Sequence, residues 1–151
     1  MLRGGLTERL VNIAKTFTGH TAGGLGNVTV LASMFFGAIS GSAPATTSAI
    51  GGNMIPAMEK ESHYDKAYAT GLASVAGSLG IIIPPSIVFV IYGSTNGVSI
   101  SKLLMSGMLP GILTAVVLCV YGYVVAKKEN FPKSFDQFSL GRVFKSLKGA
   151  I

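Results

Sequence analysis

The stretch AISGSAPATTSAIGGN, residues 38–53, lies in the longest uncharged segment of the chain. That segment, residues 16–58, runs for 43 residues without Asp, Glu, Lys or Arg. The stretch itself holds three Ser, two Thr, three Gly and one Pro, which makes it too polar to face lipid. As one helix, the segment would measure roughly 65 Å, about twice the hydrocarbon thickness of a bilayer. We therefore expect the chain to turn back on itself within the polar stretch.

The composition of the whole chain is that of an integral membrane protein. Charged residues make up 12% of the 151 residues, against about 25% in soluble domains. Two further uncharged segments follow, 35 residues at 67–101 and 24 residues at 103–126. Since a transmembrane helix needs roughly 20 apolar residues, each segment is long enough to enter a bilayer. The single cysteine, Cys119, excludes an intrachain disulfide.

The segment 67–101 is also too long for one straight span, because a continuous helix would measure roughly 52 Å. It contains GSLGIIIPPS at residues 77–86. The two consecutive prolines remove two backbone donors and disfavour helix in the residues before them. We predict a discontinuous transmembrane helix that is unwound over Gly80–Pro85.

The two ends of the chain carry most of its charge. Apolar residues recur at helical spacing in residues 1–20, with charges between them, as in an interfacial amphipathic helix. The tail, residues 127–151, has a net charge of +4 and is expected in the cytoplasm by the positive-inside rule. The predicted all-α organisation is an interfacial helix at 1–20, a re-entrant hairpin at 21–58, a discontinuous transmembrane helix at 67–101, a full transmembrane helix at 103–126, and a basic cytoplasmic arm at 127–151.

Interrupted helices in a membrane indicate a binding site, because irregular backbone is tolerated there only against protein or water. Backbone carbonyls that lose their helical hydrogen bonds at an interruption are hard oxygen ligands, as are the Ser and Thr hydroxyls. Ligands of this kind are suited to Na⁺. Helix starts near Pro44 and Pro85 would favour an anionic substrate. The residues expected at the substrate are Ser42, Ala43, Pro44, Thr46, Pro85 and Ser86.

Two other classes of protein are open on the residues alone. Gly, Ser and Thr are enriched at ordinary helix contacts, so the same clusters fit a membrane scaffold that transports nothing. A membrane-embedded enzyme is disfavoured, because no pair of Asp, Glu or His lies within the uncharged segments. No transition-metal, phosphate-loop or nucleic-acid-binding motif is present, and the basic excess flanks membrane segments.

Three stretches carry a resemblance to a known family: residues 23–58, YATGLASVAGSLGIIIPPSIVFVIYG at 68–93, and ISKLLMSGMLPGIL at 100–113. Together they resemble the large membrane subunit of tripartite ATP-independent periplasmic (TRAP) transporters. The resemblance covers about Gly4 to Lys128, and SGSAPA and IIPPS in this order are its most specific elements.

The resemblance implies a sodium-driven importer of organic anions, usually carboxylates, in the bacterial inner membrane. Its partners would be a small membrane subunit and a periplasmic substrate-binding protein, and its fold an elevator with two inverted repeats. Carried over by position, the residues at one Na⁺ are Ser40, Gly41 and Ser42 on the hairpin tip, and Gly80, Ile83 and Pro84 on the broken helix. This sequence holds one hairpin and one broken helix, so we expect it to be inactive without a second repeat, in cis or in trans.

Overall fold

The computed structural model describes Val11, Ala14 and residues 24–61 and 64–129. Most of the predicted interfacial helix at 1–20, and the basic arm beyond residue 129, lie outside the described residues. All regular structure in the described part is helical, which confirms the all-α prediction at that level. The helices are α1 (Gly24–Ser40), α2 (Ala43–Glu61), α3 (Lys66–Gly77), α4 (Leu79–Ile82), α5 (Ile87–Asn96) and α6 (Ile100–Lys128).

Helices α1 and α2 form an antiparallel hairpin with a two-residue turn. Gly41 has a φ of +64°, a left-handed conformation that glycine adopts without steric cost. Near the turn, the Ser40 and Thr46 hydroxyls lie 3.1 Å apart, and near the open end the Thr29 hydroxyl lies 3.7 Å from the sulfur of Met58. The 17 residues of α1 give a length of roughly 25 Å, less than the hydrocarbon thickness of about 30 Å. Re-entrance of this hairpin stays a prediction.

The broken helix consists of α3, α4 and α5. Its start is capped by Asp65, whose carboxylate accepts hydrogen bonds from the backbone N–H groups of Ala67 and Tyr68. Helix ends at Ile82, and Ile83 is extended, with φ −81° and ψ 128°. Helix resumes at Ile87, after Ser86 in an extended conformation.

The predicted unwound link, Gly80–Pro85, was too long at its N-terminal end. Residues 80–82 belong to the helical turn α4, and the interruption covers residues 83–86. The steric effect of a proline acts on the residue directly before it, here Ile83. The residues further upstream keep their helical bonds, such as that from the Ile83 N–H to the Leu79 carbonyl at 2.9 Å.

Helix α6 runs past the predicted limits of 103–126 and contains Pro110. Its 29 residues give a length of roughly 43 Å, enough to cross a bilayer. One face is small and buried, and it lies against the rest of the molecule: Gly107, Gly111, Ala115, Gly122 and Ala126. By length and composition, two described segments could span a membrane, Lys66–Asn96 and Ile100–Lys128.

Aromatic rings hold α1, α3 and α6 together at the open end of the hairpin. Tyr64 stacks on Tyr68, with ring centroids 5.5 Å apart and planes within 5°. The ring centroid of Tyr68 in turn lies 6.4 Å from that of Tyr121 in α6. The Tyr64 hydroxyl contacts Gly26 of α1. Burial raises the pKa of Tyr64.

This arrangement predicts which residues share a side of the membrane. In a Cys119→Ser background, an impermeant maleimide should label Lys60→Cys and Glu129→Cys from one side and Asn96→Cys from the other. The reason is that α3–α5 is predicted to cross the membrane once and α6 to return. Labelling of Lys60→Cys and Asn96→Cys from the same side would contradict the topology. A hairpin that crossed the whole bilayer would also expose Ala45→Cys as readily as Asn96→Cys.

Candidate functional site

The tip of the hairpin is a compact network of hydroxyl and carbonyl oxygens. The Thr46 side chain is fully buried, and its hydroxyl donates to the Ser42 carbonyl at 2.8 Å. The Ser40 hydroxyl lies 3.1 Å from that of Thr46 and 3.4 Å from the Ser42 carbonyl oxygen. Three oxygens from three residues are therefore gathered within hydrogen-bonding distance at one point of the fold.

The tip packs directly against the broken helix through glycines. A methyl group on Gly37 would lie 2.7 Å from the Cα of Gly80, so the backbones of α1 and α4 are in contact there. A methyl group on Gly80 would lie 2.5 Å from the Thr46 hydroxyl and 2.9 Å from the Ser42 carbonyl oxygen. Gly80 thus lies directly against the oxygen network of the tip.

A backbone hydrogen bond joins the turn of the hairpin to the start of α5. The Ile87 N–H donates to the Gly41 carbonyl at 3.2 Å. Gly41 is also pressed against the interruption, because a methyl group on it would lie 2.7 Å from the Pro85 carbonyl oxygen. The two irregular segments therefore meet, one at the turn of the hairpin and the other in the broken helix.

Ser86 bridges the interruption itself. Its fully buried hydroxyl donates to the Ile81 carbonyl at 2.6 Å and accepts from the Phe89 N–H at 3.4 Å. The first bond engages a carbonyl that α4 leaves free at its end, and the second caps the start of α5. Ser86 therefore holds the two halves of the broken helix in register.

An open pocket of about 220 Å³ lies where the tip meets α5. Its surface is almost entirely apolar, and its lining residues are Ser40, Gly41, Pro85, Ser86, Ile87, Val90 and Ile91. Helix α5 begins at this pocket, so the positive end of its helix dipole lies there, although the Ile87 and Phe89 N–H groups already have partners. Within the part of the chain that the structure describes, no group of three His, Cys, Asp or Glu could hold a metal ion.

The structure brings most of the predicted site residues together. Ser42 meets Gly80, Gly41 meets Pro85, and Ser40 and Ser86 line the same pocket. Thr46, predicted for the substrate, lies at the centre of the tip network, and its role in binding stays a prediction.

The remaining predicted residues lie further from the network. Pro44 is exposed, and Ala43 and Pro84 are half-buried. The Ile83 side chain packs against α6, where a methyl group on Gly111 would lie 2.6 Å from its Cγ1 atom. Binding by any of these residues stays a prediction.

Sequence reasoning missed Gly37 and the apolar wall of the pocket. Gly37 and Gly41 have the spacing of small residues at a helix contact, which was the available signal for Gly37. Val90 and Ile91 carry no signal, because apolar residues in a transmembrane helix are found on every face.

The whole chain, residues 1–151, matches the family model described as "Tripartite ATP-independent periplasmic transporter, DctM component". The chain belongs to this family. The TRAP resemblance noted in the sequence is thereby confirmed, as is the prediction that the chain is not an enzyme, because the family consists of transporter permeases.

Three relatives illustrate the similarity. The C4-dicarboxylate TRAP transporter large permease protein DctM of Pseudomonas aeruginosa is 43% identical over 132 residues, 87% of this chain and 31% of the relative. The isethionate TRAP transporter permease protein DctMQ of Oleidesulfovibrio alaskensis is 45% identical over 128 residues, 85% of this chain and 20% of the relative. The sialic acid TRAP transporter large permease protein SiaM of Vibrio cholerae is 38% identical over 146 residues, which cover 97% of this chain and 34% of the relative. The chain thus spans about a third or less of each of these TRAP permeases.

The contact between α1 and α4 predicts a cost for a single methyl group. Gly37→Ala should lower the free energy of unfolding of the chain in detergent by about 1–3 kcal/mol, because the methyl group meets backbone. Gly52→Ala is the matched control, since nothing lies within 4 Å of the added methyl group. Denaturant titration followed by circular dichroism measures both. A Gly37→Ala chain as stable as the control would contradict the backbone contact.

Proposed function

We propose that this chain forms part of a sodium-coupled secondary transporter that imports organic anions across the bacterial inner membrane, as a multi-pass subunit. The observation that carries the proposal is the meeting of the hairpin tip with the interrupted helix, at Gly41–Ile87 and Gly80–Thr46. Paired interruptions of this kind are a sequence and structural feature of substrate and ion sites in secondary transporters. Membership of the TRAP family supports it.

The proposed Na⁺ ligands are neutral oxygens at the tip. They are the hydroxyls of Ser40 and Thr46 and the carbonyl of Ser42, within 2.8–3.4 Å of one another. Carbonyls around Gly80–Ile83 complete the set on the side of the broken helix. Since no carboxylate takes part, the affinity is modest, which suits a coupling ion that must leave in every transport cycle.

The proposed substrate site is the open pocket beside the tip. The positive end of the α5 dipole would attract a carboxylate or sulfonate, while Ile87, Val90 and Ile91 would contact the carbon skeleton. The relatives are named for C4-dicarboxylate, isethionate and sialic acid, all of which are organic anions. Their diversity fits a site that attracts the charged group chiefly through a helix dipole.

The proposed transporter needs more than this chain. In the elevator architecture that we propose, a second, inverted repeat supplies the complementary hairpin and broken helix, in cis or in trans. A small membrane subunit and a periplasmic binding protein complete the system. The chain alone would hold half of the site, and we expect no transport from it.

Sodium dependence tests the proposal in the complete transporter, reconstituted in liposomes. Thr46→Val should raise the Na⁺ concentration for half-maximal uptake about tenfold, because one ligand to a charged group is lost. Ser40→Ala should act in the same direction.

Ser48→Ala is the matched control. It removes an exposed hydroxyl from the same helix, two residues beyond Thr46, and should leave the sodium dependence unchanged. Sodium dependence that is unaltered in Thr46→Val and in Ser40→Ala would overturn the ion site and leave the tip as a packing contact.

A further inference from the structure

A buried amide on α1 has an acceptor atom that lacks a donor. The Asn27 side chain is 6% exposed, and its Oδ1 atom accepts no hydrogen bond from the residues that the structure describes. A buried acceptor without a donor costs free energy, above all at membrane depth, where bulk water is absent. Buried polar atoms therefore nearly always bond to protein or to ordered water. The Asn27 oxygen needs a donor from outside the described side chains.

This oxygen lies beside a glycine of α6. A methyl group on Gly122 would lie 2.9 Å from the Asn27 Oδ1 atom and 4.0 Å from the Tyr68 hydroxyl oxygen. Outside α6 itself, no other atom of the described residues comes within 4 Å of that position. One point on the buried face of α6 is thus bordered by two oxygens, one from α1 and one from α3.

Two other glycines on the same face of α6 have different neighbours. A methyl group on Gly107 would meet the Phe89 ring, and one on Gly111 would lie 2.6 Å from the Ile83 Cγ1 atom. At both positions the broken helix itself fills the space that glycine leaves. At Gly122 the neighbours are two polar atoms instead, which suits a small polar molecule.

The ring contacts of Tyr68 favour a bridging molecule over a direct bond. Its ring stacks on that of Tyr64, with centroids 5.5 Å apart, and its centroid lies 6.4 Å from that of Tyr121. To reach Asn27 directly, the ring would have to give up one of these contacts. A molecule placed between the two oxygens bonds to both while the ring keeps its position.

Water is the molecule that fits these two oxygens. It would donate one hydrogen bond to the Asn27 oxygen and form a second with the Tyr68 hydroxyl, and two polar partners meet the minimum for a buried water. Two neutral oxygens are too few to replace the hydration shell of Na⁺. Gly122 lies about 9 Å along α6 from its end at Lys128, so bulk water is close by.

We infer that a bound water molecule bridges Asn27 of α1 and Tyr68 of α3, beside Gly122 of α6. The water joins three helices at the open end of the hairpin, whereas the tip lies at the other end of α1. The inference goes beyond the proposed function and does not depend on it, because neither the tip oxygens nor the pocket take part.

A density map of the complete permease, at a resolution that shows ordered water, tests the site directly. We expect a peak about 2.7–3.2 Å from both the Asn27 Oδ1 atom and the Tyr68 hydroxyl oxygen, in sodium buffer and equally in choline buffer. The absence of a peak beside ordered side chains would overturn the inference, as would a direct Asn27–Tyr68 bond. A peak that requires sodium would show an ion, and would overturn it too.

The stability of the chain in detergent gives a second test, whose sign is decisive. Asn27→Leu replaces the amide by an apolar side chain of similar size, and Tyr68→Phe removes only the hydroxyl. Each should raise the equilibrium constant for unfolding about fivefold, because each removes one partner of the bound water. An acceptor that has no partner predicts the opposite sign, since its removal would stabilise the fold. A more stable Asn27→Leu chain would therefore overturn the inference.

The double variant and a control complete the second test. Because the water is lost with the first substitution, Asn27→Leu combined with Tyr68→Phe should also raise the unfolding constant about fivefold, whereas independent effects would raise it about 25-fold. Tyr92→Phe is the control, since it removes a hydroxyl from an exposed tyrosine of α5 and should leave the constant unchanged. An effect of the double variant equal to the product of the two single effects would overturn the bridge.

Discussion

The hydrogen bond from the Ile87 amide to the Gly41 carbonyl joins two interruptions of regular helix. In hydrocarbon, an unpaired backbone N–H or C=O costs several kcal/mol, so neither interruption is stable alone at membrane depth. Each supplies partners for the other, and Ser86 engages the carbonyl of Ile81 that remains. Close approach of the two backbones is possible because Gly37, Gly41 and Gly80 have no side chains between them.

The same requirement concentrates oxygen atoms at the tip. The hydrogen-bonding groups of irregular backbone find partners in short hydroxyl side chains. Ser40 and Thr46 therefore lie beside the Ser42 carbonyl. On the proposed function, a cation enters a network whose atoms already bond to one another. Binding of the cation must then replace some of those hydrogen bonds. The free energy gained from each ion–oxygen contact is therefore largely offset by the hydrogen bond that is lost. Reversible binding follows from that balance, with no buried charge to hold the ion in place.

The interruptions could be predicted from the sequence because their causes are local. A 43-residue uncharged segment cannot be one span, and Pro84, with a second proline after it, disfavours helix at Ile83. Their extents were less certain, and the helical turn at residues 80–82 was missed, because it depends on bonds further back, such as that from Ile81 to Ser78. The contact of Gly37 with Gly80 joins residues 43 positions apart, and the contact of Thr46 with Gly80 joins residues 34 positions apart. Contacts of this kind come from tertiary packing, which periodicity alone does not encode.

Side-chain size, more than polarity, separates the surfaces of this molecule. Helix α6 places Gly107 and Gly111 against the broken helix, and Leu109 and Leu113, two positions further along in each case, on the outside. Helices α2 and α3 carry small residues on both sides, because Gly51 and Ala73 line their seam while Gly52 and Ser74 point outward. Gly37 and Gly80 thus mark where two backbones meet, and Gly107 lies against the Ile82 carbonyl in the same way.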